Sequence, residues 1–114
     1  MYPTLLTLAF VFAAGSAAAA DVTMTVQCSL DDAAPAACEF GDTATKEGTH
    51  TMEFVRGDRR TTFVGRRQGP WWSGRLDGRP AMGYEINRGH MVIATSDLES
   101  TFEWWSKDGK PGAE

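Results

Sequence analysis

Arg56, Arg59, Arg60, Arg66, Arg67, Arg75, Arg79 and Arg88 put eight guanidinium groups, and no lysine, into the middle of this chain. A guanidinium offers a planar fork of donors that fits carboxylate and phosphate groups. Only three acids (Asp58, Asp77 and Glu85) share residues 56–88 with them, so this stretch is basic in a chain of net charge −4. Residues 21–55 hold one lysine and seven acids, and residues 89–114 two lysines and five acids. Two arrangements fit this segregation. The arginines face an anionic partner, or in an antiparallel sheet they pair across strands with the acidic flanks.

Aromatic residues sharpen the first arrangement. Trp71-Trp72 and Trp104-Trp105 are adjacent pairs, and neighbours on a strand point to opposite faces. Grouping Trp72 and Trp104 with Leu76 and Phe102 on an inner face leaves Trp71 and Trp105 outside. Arg66, Arg67, Trp71, Arg75 and Trp105 are therefore the candidate binding residues, because tryptophan and arginine dominate binding hot spots. A cation–π ladder without a ligand, worth about 0.5–1 kcal/mol per contact, uses the same residues. So does an outer face covered by the tail or a second subunit.

Groups for catalysis are sparse. His50 and His90 are the two histidines, open to meeting across strands but without a set of zinc ligands. The chain has no H-x-x-x-H, no G-x-S-x-G and no G-x-x-x-x-G-K. Ser73 lacks the elbow pattern of a nucleophile, and Asp31-Asp32 reads as a solvated loop pair. The expectation is a non-enzymatic protein with no cofactor and no metal.

Cys28 and Cys38 are the two cysteines. Their spacing is far from C-x-x-C and no neighbouring cation lowers a thiol pKa, so they read as a structural disulfide and not a redox pair. The nine residues between them, with Pro35, have a loop composition.

These residues must be positioned by strands. After Asp21 the apolar period is close to two: Val22, Met24, Val26 and Cys28 alternate with Thr23, Thr25 and Gln27. His50, Met52 and Phe54 form one face of a second such run, and Thr61 to Gly65 another. Arg56-Gly57-Asp58-Arg59, Asp77-Gly78 and Asn87-Arg88-Gly89 supply hairpin turns, Asp77-Gly78 being the strongest. Met82, Tyr84 and Ile86 share a face. His90 to Thr95 is apolar on both faces, as in a strand covered on both sides. Thr101 to Trp105 closes the domain. Seven to eight short strands joined by hairpins predict an all-β domain, a small antiparallel barrel or sandwich with one disulfide. Met24, Met52, Phe54, Trp72, Met82, Tyr84 and Phe102 are expected inside, bulky enough to fill a small barrel.

Residues 1–20 read as a secretory signal peptide. Leu5 to Ala14 is an apolar block, and the alanines ending at Ala20 precede Asp21 as a cleavage site does. The block falls short of the roughly 20 residues a membrane span needs. The segment Met1-Tyr2-Pro3-Thr4 departs from the usual pattern in carrying no Lys or Arg. The expected organisation is a signal over 1–20, one β-domain over 21–105 and a polar tail over 106–114, with a periplasmic or secreted location.

A small exported β-domain with one disulfide and a terminal tryptophan strand resembles the periplasmic C-type lysozyme inhibitors of bacteria. Their Ser-Gly-x-x-Tyr motif is not reproduced, because Ser73-Gly74 is followed by Arg75-Leu76-Asp77. The resemblance therefore implies architecture and not the inhibitory motif. The leading expectation is a non-catalytic binding or structural module. Its expected partner is an anionic cell-envelope polymer or another periplasmic protein, without nucleic acid and without an integral span after cleavage. A cell-wall hydrolase inhibitor, a small ligand carrier and a small enzyme are the alternatives.

Overall fold

The computed structural model describes residues 20–87 and 89–106. The expected signal peptide, apart from Ala20, lies outside the described residues, as do the tail beyond Ser106 and Arg88. Eight strands follow in order: β1 (Val22–Leu30), β2 (Ala36–Ala44), β3 (Thr49–Arg56), β4 (Arg59–Gln68), β5 (Trp71–Leu76), β6 (Arg79–Asn87), β7 (His90–Thr95) and β8 (Thr101–Trp105). Each pairs antiparallel with the next, and β8 returns to β1 through Gln27–Trp105 to Leu30–Phe102. The sheet is a closed up-and-down barrel, which decides between the two all-β plans that the strand pattern allowed. Closure also removes the exposed sheet edges that an open meander would leave.

Local chemistry explains the hairpins. Asp77 and Gly78 both take left-handed backbone angles, φ 50° and 84°. A two-residue turn whose backbone twist matches the flanking strands needs that geometry, and aspartate and glycine tolerate it. Leu76 and Arg79 are thereby set opposite each other, which fixes the β5–β6 register.

The lumen is filled by side chains. Phe40 packs on Phe54 and on Trp104 with ring centroids 5.0 Å apart in each case, and Phe54 lies 4.7 Å from Phe102. Trp72 and Trp104 face inward, Trp71 and Trp105 outward, as strand alternation requires.

Two inner positions differ from the sequence expectation. Met82 and Tyr84 stand on the outer wall of β6, and Ala81 and Gly83 face in. The reason is volume: Gly83 sits opposite Trp72, and a Cβ there would come within 2.6 Å of Met91 Cε and 3.4 Å of Trp72 Cβ. The bulky residues of β6 are displaced outward so that the indole fits. Met24 shares a face with Val26 yet is exposed. β8 ends opposite Gln27, so the first half of β1 is flanked by β2 alone and its inner side opens to water.

Cys28 and Cys38 are bridged, with Cα atoms 6.2 Å apart. The strands run further into the connecting segment than its loop composition suggested, leaving residues 31–35 as the turn, and both cysteines lie buried on strands. The bridge joins β1 to β2 diagonally, since Cys38 pairs with Val26 and Cys28 with Ala36. Cys28→Ala is expected to lower the unfolding free energy by about 2–3 kcal/mol on the chain-entropy account, leaving the fold intact. Urea titration checks the loss, and thiol titration of the unfolded, unreduced wild type should find no free thiol.

Candidate functional site

The outer wall of β4, β5 and β6 is a grid set by the register. One row runs Gln68–Trp71–Tyr84, the next Arg66–Ser73–Met82, and the third Val64–Arg75–Pro80. The grid exposes large apolar groups: Trp71 is 51% exposed, Met82 50% and Tyr84 39%. Trp71 and Tyr84 hold each other with ring centroids 4.6 Å apart and planes tilted by 52°. Arg66, Gln68, Trp71, Ser73 and Met82 border a shallow depression of about 40 Å³.

Arg66 and Arg75 are anchored on this wall without being neutralised. Arg66 Nη2 donates to the Glu47 carbonyl at 2.8 Å, and Arg75 Nη1 donates to the Gly78 carbonyl at 3.0 Å. Among the described residues neither makes an ion pair with a carboxylate. Their positive charge therefore stays available on this wall, Arg66 bordering the Trp71 depression and Arg75 nearer the β5–β6 turn.

Arg67 and Trp105 are not part of this surface. Arg67 alternates to the inner side at one barrel mouth, where its Nη2 lies 2.9 Å from Glu85 Oε1 and its Nε donates to the Gly69 carbonyl. Trp105 points outward from β8, three strands from Trp71, but is only 6% exposed. It stacks on His90 at 5.0 Å, and His90 Nε2 lies 2.5 Å from Glu103 Oε2. Of the five candidate binding residues, the structure sets Arg66, Trp71 and Arg75 on one wall, with Arg66 and Trp71 bordering the same depression.

Pairing with acidic neighbours describes other arginines. Arg60 reaches Glu53 at 2.6 Å across β3–β4, and Arg79 reaches Asp97 at 2.6 Å and Glu99 at 2.8 Å. The Thr95 hydroxyl, the Glu99 backbone N–H and the Arg79 guanidinium together hold the Asp97 carboxyl down at about 2. Its hydrogen bond to Asp97 raises Arg79 above the ordinary arginine value.

His50 and His90 do not meet. His50 faces inward from β3 and His90 outward from β7, which is not a neighbouring strand. His50 Nδ1 lies 3.0 Å from Asp42 Oδ2, and its ring meets Trp72 edge-on at 4.9 Å. The Asp42–His50 pair and the Arg67–Glu85 pair occupy the same barrel end, a grouping that the sequence reading missed. The available signal was the β2–β3 hairpin itself, whose register sets Asp42 opposite Met52 and Ala44 opposite His50. No group of three or more His, Cys, Asp or Glu able to hold a metal ion occurs among the described residues. Comparison with protein-family models, with curated proteins and with solved structures finds no match to this chain.

Proposed function

We propose that the chain is an exported, non-catalytic binding module that takes an acidic polysaccharide of the cell envelope on the outer wall of β4, β5 and β6. One observation carries this reading: the exposed Trp71–Tyr84 ring pair shares one wall with Arg66, which borders the Trp71 depression, and Arg75, two rows along β5, and no described carboxylate neutralises either guanidinium. Ring faces suit the apolar faces of sugar rings, and guanidinium forks suit their acid groups. A contiguous exposed apolar patch bordered by polar residues is characteristic of interaction sites.

Titration of the protein with polygalacturonate and with lipopolysaccharide, followed by tryptophan fluorescence, tests the reading. Saturable change is expected with at least one of them, and Trp71→Ala should weaken it at least tenfold. Absence of binding to both would overturn it. The disulfide and the terminal tryptophan strand, on which the resemblance to lysozyme inhibitors rests, favour hydrolase inhibition as the second reading. A muramidase inhibition assay separates the two.

A further inference from the structure

A second site lies apart from that wall, at the barrel end formed by the β1–β2, β3–β4, β5–β6 and β7–β8 connections. It is a cavity of about 200 Å³ with Leu30 and Leu76 as apolar lining and Arg59, Asp31 and Asp77 as charged lining. Arg56 and Arg59 are register partners across the neck of the β3–β4 hairpin. Like charges placed opposite each other on paired strands are unfavourable. Among the described residues neither arginine makes an ion pair. Arg79 borders the same cavity, but Asp97, Glu99 and the Ser100 hydroxyl already engage it. Arg59 is thus the guanidinium with donors to spare.

The two acids are fixed in place and half used. Asp31 Oδ1 accepts the Thr101 N–H at 2.9 Å, and Asp77 Oδ1 accepts the Thr62 N–H at 2.8 Å. The second oxygen of each accepts no hydrogen bond among the described residues. Arg59 lines the same space without forming an ion pair with either acid. Opposite charges therefore border a void instead of closing across it. An inorganic anion would satisfy Arg59 and be repelled by the acids; a lone cation would do the reverse. A small zwitterion satisfies both. At about 30 Å³ per liquid water, the space equals about six or seven waters, room for a small amino acid together with a few waters.

We propose that this cavity binds a small free α-amino acid, its carboxylate on Arg59 and its ammonium between Asp31 and Asp77. Amide NMR titration at constant ionic strength with alanine of either hand, N-acetylalanine and alaninamide tests it. Alanine should shift the Asp31, Thr62, Asp77 and Thr101 amides saturably, and removing either ligand charge should weaken binding at least tenfold. Arg59→Gln should abolish the saturable shifts without lowering the thermal midpoint, because it also relieves the charge opposite Arg56. Asp31→Asn, which keeps the acceptor for Thr101, should weaken binding several-fold. The proposal is overturned if alanine gives no saturable shift, if the singly charged analogues bind equally well, or if either variant binds like wild type. Because the cavity and the β4–β6 wall share no residue, either site can fail without the other.

Discussion

Replacing Phe54 with alanine is expected to lower the unfolding free energy by about 3–5 kcal/mol, the range for deleting a buried aromatic ring. Phe54 is 2% exposed and touches rings from two other strands, Phe40 on β2 and Phe102 and Trp104 on β8. A closed barrel is a poor place to lose volume. Its walls are held by a continuous ladder of backbone hydrogen bonds, so they cannot move inward to fill the space. A small domain has total stability near the lower part of the roughly 5–15 kcal/mol range, so this single change removes much of it. Urea unfolding followed by circular dichroism measures the loss. Val64→Ala, on the outer wall of β4, is expected to stay within about 0.5 kcal/mol.

Gly74→Ala should be almost as damaging, although it adds one methyl group. Gly74 pairs with Gly65 across β4–β5, and both face the lumen. A Cβ at Gly74 would meet the Val64 carbonyl oxygen and lie 2.5 Å from the Gly65 Cα, both of them backbone atoms. Strands β4 and β5 would have to separate, at an expected cost of about 3 kcal/mol, the upper end for overpacking. Gly83→Ala is the informative comparison. There the nearest atom is Met91 Cε, the end of a flexible side chain, and about 1 kcal/mol is expected. Equal losses in the two variants, read from their thermal midpoints, would contradict this account of the barrel wall.

These contrasts show where the sequence was legible. Strand existence was readable, because alternation at Val22–Cys28 and turn chemistry at Asp77-Gly78 are local properties of the chain. Closure was not, since it depends on β8 finding β1 across more than seventy residues. The faces of β6 were misread for a related reason. Met82 and Tyr84 look like core residues until Trp72 on the neighbouring strand claims the interior and requires Gly83 opposite it. At the candidate site, alternation correctly set Trp71 outside. The same alternation, applied to the adjacent Arg66 and Arg67, sets the two on opposite faces; it could not reveal that Arg67 pairs with Glu85, or that His90 covers Trp105. Both outcomes are contacts between distant segments, invisible to a pattern read along one strand.

The proposed face makes its most direct demand through charge. Arg66 and Arg75 contribute uncompensated positive charge, and attraction between exposed charges is screened over about 8–10 Å near physiological ionic strength. The affinity for polygalacturonate or lipopolysaccharide should be measured from low to high salt for wild type and for the Arg66→Glu, Arg75→Glu double variant. Among the described residues both replaced arginines donate only to backbone carbonyls, so the variant should keep the wild-type circular dichroism spectrum and thermal midpoint to within a few degrees. Wild-type binding is expected to fall steeply with salt, and the folded variant should bind neither polymer at any salt concentration. A folded variant that binds with the affinity and salt dependence of wild type would contradict recognition through this wall.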